Sequence, residues 1–465
     1  MSYDLIVVGM GSAGMVAAEF ASTLGIRVAC AERDRVGGDC LWTGCVPSKA
    51  LLASAKAAHT IRHADAYGLA PGEPQIDSAR VWRRIHAIQD DIAATDDNAE
   101  RFRALGVDVL EGATALRSGT RVVVGEREHA TRFVLLATGS RPALPPIDGL
   151  AHARPLTSER IFALERAPES LVMIGAGPVT VELAQALARL GVAVTVLQRG
   201  PRVLVREEPA LAERLLARLR AEGVEVVTGV DADRVSVAAG GAAKTVHAGE
   251  RSWTAQDLFV GAGRAPNVEG LGLAEAGVTL GPRGVVVDGS LRSSVASVYA
   301  AGDVAGRHLF THAAGYEAAR AVRNMFFPGS SSGPYLVPWC TFTDPELAHA
   351  GLTEAAARER HGDGAVRVWR QDLAHSDRAR TDSASDGELR IVTAKGRIVG
   401  AHVLAPNAGE LIGELALAID RKLKLTDLAN VVHVYPTIAL AIQQLAAAAA
   451  YRSARRFRWL VRSRA

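Results

Sequence analysis

The alternation of apolar and polar residues predicts two copies of one strand–turn–helix–strand unit. The first copy begins with an apolar run at residues 4–9, passes through a glycine-rich turn into a helical pattern over 12–24, and ends in a short strand at 27–31. The second copy repeats this order over residues 170–197, and its turn, helix and second strand are spaced as in the first. Because such units build dinucleotide-binding α/β domains, the repeat predicts two dinucleotide sites.

The remaining pattern divides the chain further. Residues 61–103 predict helix, residues 107–124 and 133–137 predict strands, and proline- or glycine-rich stretches near 142–146, 261–267 and 327–338 mark boundaries. Beyond the last boundary the pattern predicts strands at 340–342, 366–369, 389–393 and 398–404, then helices at 409–422 and 437–453. We therefore predict an α/β protein with two doubly wound, Rossmann-like domains and a C-terminal α+β domain. The predicted ranges are 1–147 and 266–333 for the two parts of the first domain, 148–265 for the second domain, and 334–465 for the C-terminal domain.

Composition excludes several classes of protein. The chain has 465 residues, more than one hydrophobic core normally serves, and its 48% apolar and 22% charged content is that of a folded protein. A net charge of +3 gives no indication of a nucleic-acid partner. No apolar stretch reaches the roughly 18 residues of a membrane span. The N-terminus lacks the basic region of a signal peptide and carries Asp4, so we predict a cytoplasmic protein.

The first glycine-rich turn has the spacing of a dinucleotide site. Gly9, Gly11 and Gly14 fit G-x-G-x-x-G, in which the glycines allow a tight turn, close approach to a pyrophosphate and close helix–strand packing. Glu32 follows the second strand, where a carboxylate accepts a hydrogen bond from a ribose hydroxyl. The strand, the helix and the spaced acid together favour a nucleotide site over a simple turn.

The second turn departs from this pattern. Gly175 and Gly177 are present, but Thr180 replaces the third glycine, so we expect helix and strand to lie slightly farther apart. Gln198 replaces the acid, which removes the repulsion that a 2′-phosphate would meet, and Arg199 and Arg202 lie close by in the sequence. This favours NADPH over NADH. The alternative is that both arginines are merely solvated.

Two of the four cysteines form a close pair. On a regular helix, Cys40 and Cys45 would point in directions about 140° apart and could not form a disulfide. The pair therefore requires an irregular turn, which Gly44 permits. A helix that begins near Cys45, with Lys49 one turn later, would lower the pKa of that thiol. The pair is therefore predicted to be redox-active. A zinc site, which would need two further ligands, and an inert buried pair are the alternatives.

These segments resemble one family over essentially the whole chain. The markers are the first glycine turn, GGDCLWTGCVPSKAL (37–51), ATGSRP (137–142), GPVTVELAQ (177–185), GRAPN (263–267), YAAGDVAG (299–306) and FTDPELAHAGLT (342–353). They resemble the pyridine nucleotide–disulfide oxidoreductases, such as lipoamide dehydrogenase, glutathione reductase and mercuric reductase. The resemblance implies FAD in the first domain, NAD(P)H in the second, a small-molecule substrate, and a homodimer whose C-terminal domain completes the partner's active site.

The resemblance also implies residue roles. Cys40 would be the interchange thiol that attacks substrate, and Cys45 the charge-transfer thiol that faces the flavin. Lys49 would approach the flavin and pair with Glu182 in the nicotinamide site. The implied cofactor-binding residues are Gly9, Gly11, Gly14, Glu32, Gly38, Lys49, Gly112, Gly139, Ser140 and Asp303 for FAD, and Gly175, Gly177, Gln198, Arg199, Gly263 and Arg264 for NAD(P)H.

The C-terminal motif differs from that of the family. Where the family has a His base before Pro-Thr and a Glu that orients it, this chain has Tyr435 and Leu440. A phenol is a poor base near neutral pH but donates a hydrogen bond or a proton. His433 lies on the same face of an extended segment and could substitute, but no carboxylate partner is evident, so a structural histidine is the favoured interpretation. Cys340 is expected to be a packing residue near the dimer interface.

Three functions remain open. The first is a thiol/disulfide-active reductase, which the intact cysteine pair favours. The second is an NAD(P)H:quinone or small-electrophile reductase working at the flavin, which the missing His/Glu dyad favours. The third is a non-catalytic redox sensor. The reverse reaction, oxidation of a dithiol or another substrate, is also compatible with the residues. Mercuric reductases carry a C-terminal cysteine pair that this sequence lacks, so we do not expect efficient mercury reduction. The basic tail, residues 451–465, is expected to be a solvated terminal helix, with peripheral membrane contact as the alternative.

Overall fold

The computed structural model describes residues 2–329 and 331–455. The first part of the first domain contains β1 (Ser2–Val8), α1 (Ser12–Thr23), β2 (Val28–Glu32), α2 (Gly38–Trp42), α3 (Cys45–Arg62), α4 (Ser78–Thr95), α5 (Ala99–Ala104), β3 (Asp108–Glu111), β4 (Thr114–Ser118), β5 (Arg121–Val124), β6 (Arg127–Leu136) and β7 (Ser140–Pro142). Its sheet has the order β3-β2-β1-β6-β5-β4. The strands β1, β2, β3 and β6 pair in parallel, and α1 lies against them.

The second domain repeats the parallel core of the first. It contains α6 (Ser158–Ile161), β8 (Ser170–Ile174), α7 (Pro178–Arg189), β9 (Ala193–Gln198), α8 (Pro209–Ala221), β10 (Glu225–Thr228), β11 (Arg234–Val237), β12 (Lys244–Ala248), β13 (Arg251–Ala255) and β14 (Asp257–Val260). The parallel order β10-β9-β8-β14 has the same connectivity as β3-β2-β1-β6. The turns agree as well, since Gly9 (φ +100°) and Gly175 (φ +96°) each pass so close to a neighbouring carbonyl oxygen that a side chain would clash with it. The predicted repeat is therefore present in three dimensions.

The chain then returns to the first domain. This part contains β15 (Arg264–Pro266), β16 (Leu280–Gly281), β17 (Gly284–Val285), β18 (Val298–Ala300) and α9 (Thr311–Phe326). β18 pairs with β6 in parallel, and β15 pairs with β7. The return therefore extends the first sheet and brings the N-terminus of α9 to the end of the sheet where the first turn lies.

The C-terminal part is an antiparallel sheet with helices. It contains β19 (Trp339–Thr341), β20 (Glu346–Gly351), α10 (Glu354–His361), β21 (Val366–Asp372), α11 (Asp377–Thr381), β22 (Glu388–Ala394), β23 (Arg397–Ala405), α12 (Ala408–Asp420) and α13 (Leu440–Ala454). The strand order is β19-β20-β23-β22-β21. The predicted fold class, two Rossmann-like domains with a C-terminal α+β domain, is confirmed.

One face of α7 attaches the second domain to the C-terminal part. Phe342 donates its backbone N–H to Glu182 (2.8 Å), Gln185 exchanges two hydrogen bonds with the backbone of Asp344, and Arg189 pairs with the Asp344 carboxylate (2.9 Å). These three side chains are three and four residues apart, so they lie on one side of the helix. The segment 342–344 is thereby held against the residue that the resemblance places in the nicotinamide site.

Two expectations about local structure need correction or qualification. The predicted helix over residues 61–103 is interrupted, because only a single 3-10 turn forms between α3 and α4, where Pro71, Gly72 and Pro74 interrupt any helix. Thr180 does replace the third glycine, but Gly261 on the facing segment makes the room, since a side chain at position 261 would lie 2.2 Å from the Thr180 hydroxyl.

No helix within residues 2–329 and 331–455 has the length and apolarity needed to cross a membrane. Residues 456–465 of the basic tail lie outside the described residues.

The close approach of α1 to the first turn predicts that Gly14→Ala is strongly destabilising. An added methyl group would lie 1.9 Å from the carbonyl oxygen of Gly9, so the helix must move away from the strand. We expect the free energy of unfolding to fall by about 2–3 kcal/mol or more, measured by chemical denaturation. The control is Gly413→Ala on α12. An added methyl group there would meet no atom of another part of the chain within 4 Å, so the stability should be unchanged or slightly higher. Equal stability of the two variants would contradict the observed packing.

Candidate active site

The two predicted redox cysteines lie on either side of a break between two helices. α2 ends at Trp42, and α3 begins at Cys45 after Gly44, whose backbone is not helical (φ −123°, ψ −109°). A side chain at Gly44 would lie 2.9 Å from the carbonyl oxygen of Asp39, so the chain can turn this tightly only at glycine. The break brings the Cys40 and Cys45 thiols into hydrogen-bond contact. The predicted irregular turn is present.

Two helices direct their N-termini at Cys45. Cys45 is the first residue of α3, and Thr311, the first residue of α9, places its hydroxyl 3.3 Å from the Cys45 sulfur. The pKa of the Cys45 thiol is lowered to about 6, chiefly by the hydrogen bond with Cys40 and then by Thr311 and the charge of Lys49, while burial and the charge of Asp39 act in the opposite direction. The same hydrogen bond and burial raise the pKa of Cys40. The pair therefore favours a thiolate at Cys45 and a thiol at Cys40.

A cavity of about 1010 Å³ connects the thiols to the first glycine turn. This is at the top of the range for small-molecule sites, about 300–1,000 Å³, and the cavity is long enough to extend from Glu32 to Cys45. At one end the first turn of α1 has no side-chain cap, so its N–H groups face the cavity without a capping partner. Gly11 and Gly38 approach each other so closely that a Cβ at Gly38 would lie 2.8 Å from the Gly11 Cα. This arrangement suits the pyrophosphate of a dinucleotide such as FAD.

Glu32 is fixed in place by the backbone. Its carboxylate accepts hydrogen bonds from the N–H groups of Met10 (2.7 Å), Arg33 (2.8 Å) and Asp34 (2.9 Å), and the side chain lines the cavity. Gly112, at φ +139°, donates its N–H to the Glu32 carbonyl (2.8 Å) but is not itself part of the cavity wall. Glu32 is thus placed to accept from a ribose, and Gly112 supports the strand beside it.

Near the middle of the cavity a polar group surrounds Asp303. Ser140 donates its hydroxyl to the Asp303 carboxylate, and Arg264 contacts both Ser140 Oγ (2.7 Å) and Asp303 (3.5 Å). Burial raises the pKa of Asp303, and Ser140 and Arg264 act in the opposite direction. Gly139 (φ +66°) also lines this part of the wall. Arg264, for which the resemblance implies a place beside NAD(P)H, contacts this group through Ser140 and Asp303.

Lys49 and Glu182 meet at the other end of the cavity. Lys49 Nζ lies 2.8 Å from the Glu182 carboxylate, although the two belong to different domains, and it also lies 4.4 Å from the centre of the Phe342 ring. Glu182 is only 5% exposed, so the pair and the Phe342 N–H supply the partners that a buried carboxylate requires. The sequence predicted this contact only through the resemblance.

The second glycine turn lies outside the cavity. Gln198 accepts a hydrogen bond from the N–H of Ala176 (3.0 Å), as Glu32 does from Met10, so the amide takes the structural place of the acid. Gly175 and Gly177 form the turn, and Arg199 beside it is exposed, whereas Arg202 donates to the carbonyl of Val205 (2.9 Å). Gly263 (φ +146°) lies beyond the end of β14 and accepts a hydrogen bond from Ala143.

The C-terminal residues His433 and Tyr435 do not reach the cavity of their own chain. The sequence showed no carboxylate partner for His433, but the fold supplies one, because Glu414 of α12 lies 3.1 Å from Nε2. The other ring nitrogen bonds to the carbonyl of Val431 (3.2 Å), and the side chain is 6% exposed, so both ring nitrogens are engaged within the chain, and the missing carboxylate on which the structural interpretation rested is present. Tyr435 is 66% exposed and donates its hydroxyl to Asp377 (3.1 Å), which raises its pKa.

Several residues of the cavity were missed by the sequence interpretation. Cys340 was expected to be a packing residue near a dimer interface, but it lines the cavity, close to Glu346, and burial raises its pKa. Phe310 and Trp339 form part of the wall with their rings nearly parallel (centroids 5.7 Å apart, 9°), and Arg206 lies over the Trp339 ring. No glycine spacing or charge pattern marks such residues, because they come together from three separate segments.

Comparison with known proteins gives matches over almost the whole chain. The family model described as "Pyridine nucleotide-disulphide oxidoreductase" matches residues 3–319, and the model for the dimerisation domain of that family matches residues 337–446. "Mercuric reductase" of Shigella flexneri is 36% identical over 93% of this chain and 78% of that protein. "Dihydrolipoyl dehydrogenase" of Chlorobaculum tepidum is 32% identical over 96% of each chain.

Solved structures give the same result. The HOCl-induced flavoprotein disulfide reductase RclA from Escherichia coli superposes with a TM-score of 0.85 at 25% identity, over 96% of this chain and 99% of that one. A Cu(II) complex of RclA superposes equally well. The similarity therefore covers both nucleotide domains and the C-terminal domain.

The contact between Thr311 and Cys45 predicts the effect of Thr311→Val. Loss of a hydrogen bond that lowers the pKa of Cys45 should raise that pKa by roughly half a unit to one unit, so less thiolate is present near pH 6. The measurement is the pH dependence of Cys45 alkylation in the reduced protein, followed by mass spectrometry. Thr60→Val, which removes a hydroxyl bonded within α3 at its exposed end, is the matched control. A pKa that stays the same or falls would contradict the assignment.

Proposed function

We propose that this chain, which belongs to the pyridine nucleotide-disulphide oxidoreductase family, passes electrons from NADPH through FAD to the Cys40–Cys45 pair and on to a small-molecule acceptor. Like its relatives, it is an enzyme that uses FAD and NAD(P)H. The observation that supports the proposed route is the position of Cys45, which lines one cavity with the first glycine turn and with the Lys49–Glu182 pair.

FAD, when bound, supplies the two-electron step between the nicotinamide and the disulfide. The chain's own residues prepare the two ends of that step. Glu182 holds the Lys49 ammonium in the cavity at 2.8 Å, and Gly11 and Gly38 leave backbone space for the pyrophosphate. Glu32 and Asp303 are the proposed ligands of the ribose and the ribitol. We retain residues 1–147 and 266–333 for the FAD domain, 148–265 for NAD(P)H and 334–465 for the interface as the proposed division of the chain.

The two thiols have different proposed roles. Two electrons and one proton convert the disulfide into a thiolate at Cys45 and a thiol at Cys40, which is the distribution that the pKa directions favour. Cys40 would then attack an oxidised acceptor once its proton is removed. That proton is taken up by the reduced acceptor, and Tyr435 on the exposed segment of a second copy of the chain is the proposed hydrogen-bond donor to it, because a phenol whose pKa is raised does not act as a base. The match to the dimerisation domain supports a homodimer.

A second candidate function is reduction of a planar acceptor such as a quinone directly at the flavin. Tyr435 and Leu440, which replace the His and Glu of the family motif, favour it, because reduction at the flavin needs no thiol base. This route does not need the thiols. Oxidation of a dithiol by the same groups, a non-catalytic sensor role and a cytoplasmic location stay predictions.

Replacement of Cys40 with Ser separates the two routes. Without the pair, the protein should take up two electrons in an anaerobic NADPH titration where the wild type takes up four, and disulfide reduction should fall at least about a thousandfold. Quinone reduction should stay within about twofold of wild type. Loss of both activities would oppose the quinone route, and full disulfide turnover in the variant would overturn the proposed role of Cys40.

The exposed Arg199 predicts the choice of nucleotide. Arg199→Ala should raise the KM for NADPH about tenfold through loss of a charge-assisted bond to the 2′-phosphate, and should leave the KM for NADH unchanged. NADH in the same variant is the internal control, and Arg199→Lys should recover part of the effect. An equal change for both nucleotides would show that the arginine acts on the fold or on the shared part of the ligand.

A further inference from the structure

The carboxylate of Asp39 ties together the segment that carries the two thiols. Asp39 lies one residue before Cys40, and its Oδ1 accepts a hydrogen bond from the hydroxyl of Thr43, which lies between the two cysteines. Its Oδ2 accepts a hydrogen bond from Arg264 Nη2 at 2.7 Å. One side chain therefore connects the beginning of the segment, its middle and a different part of the chain.

This segment has little backbone support of its own. α2 is five residues long, its N-cap Gly37 (φ +98°) and its first residue Gly38 (φ +57°) both have positive φ, and Gly44 interrupts the helical backbone after it. A helix this short does not persist without tertiary contacts. Gln89 of α4 donates to the carbonyls of Leu41 and Trp42, which fixes the buried side. Asp39 provides the corresponding attachment on the cavity side.

Arg264 is a rigid anchor for this attachment. It lies in β15, which pairs with β7, and its guanidinium also bonds to the Ser140 hydroxyl (2.7 Å) and carbonyl (3.1 Å). The side chain of Arg264 is 22% exposed and that of Asp39 is 40% exposed, so the ion pair is partly protected from solvent. The position of Asp39 is thus set by the strand pair and not by α2 itself.

We propose that Asp39 is a positioning residue of the redox pair, whose carboxylate holds the 40–45 segment in the conformation that keeps the two sulfurs in contact. The inference rests on the proposed function, because it assumes that the pair is the redox centre. Asp39 acts on Cys45 in two opposite ways. As a negative charge it disfavours the Cys45 thiolate. By holding the 40–45 segment in place it preserves the hydrogen bond between the thiols, which favours the thiolate more strongly.

The opposite signs make the proposal testable by Asp39→Ala. If the tie dominates, the pKa of Cys45 should rise by about one unit even though a negative charge has been removed. If Asp39 is only a nearby charge, that pKa should fall. The measurement uses the reduced FAD-loaded protein and follows both the alkylation rate of Cys45 and the thiolate-to-flavin charge-transfer absorption against pH. A fall or no change overturns the proposal.

Two further variants test the same point without large disturbance. Thr43→Val removes the hydroxyl that Asp39 holds and changes no charge, so the tie predicts a rise in the Cys45 pKa, whereas a pure charge effect predicts none. Asp39→Asn removes the charge but keeps an amide oxygen for one contact, so its Cys45 pKa should lie below that of Asp39→Ala. If Asp39→Ala does not fold, Thr43→Val decides the question, because its Cys45 pKa is compared with that of the wild type. An unshifted Thr43→Val or an Asp39→Asn equal to Asp39→Ala overturns the tie.

Glu410→Gln is the matched control for charge. Glu410 lines the same cavity, and its replacement removes one negative charge outside the 40–45 segment, so the Cys45 pKa should stay within about 0.2 units of wild type. A larger shift would show that cavity charge in general sets this pKa and would overturn the specific role of Asp39. The anaerobic NADPH titration of the wild type distinguishes a failure of the proposed function from a failure of the proposed role of Asp39. Uptake of only two electrons refutes the proposed function, whereas uptake of four electrons with unshifted variants refutes the role of Asp39 alone.

Discussion

A single buried carboxylate, that of Glu182, joins the three parts of the chain at the candidate active site. It accepts one hydrogen bond from Lys49 in the first domain and another from the backbone of Phe342 in the C-terminal part, and it lies on α7 of the second domain. A carboxylate that is 5% exposed is tolerated only when it is paired, so these contacts constrain one another. The cavity wall near Lys49 exists in this form only while all three parts are docked.

The chemistry of the thiol pair depends on this docking in a similar way. No single helix lowers the pKa of Cys45 by itself, because Cys40 of α2 supplies the hydrogen bond, α3 supplies Lys49, and α9 brings Thr311 from far along the sequence. The same geometry makes Cys40 the weaker acid of the two. An asymmetric pair, with a stable thiolate on one side and a thiol on the other, is what a relay between a two-electron donor and an external acceptor requires.

The C-terminal segment illustrates how far a sequence motif reaches. The missing acid at Leu440 suggested that His433 stands alone, but α12 supplies Glu414, so the histidine is paired through a route that the motif does not show. Both ring nitrogens are then engaged, and the histidine secures a segment whose neighbours Val432 and Tyr435 are 90% and 66% exposed. Such an exposed apolar surface is typical of a region that is covered in an assembly.

The sequence by itself determined the fold class, the duplicated nucleotide-binding unit and the close pairing of Cys40 and Cys45, because glycine spacing, apolar periodicity and close cysteines act over short distances along the chain. It gave the roles of Lys49 and Glu182 only through a family resemblance. The tertiary structure alone decided the contacts of Thr311 and Arg264, the place of Cys340 in the cavity and the partner of His433. These contacts join residues that are distant in the sequence, and their formation depends on how separate helices and strands pack, which no local pattern encodes.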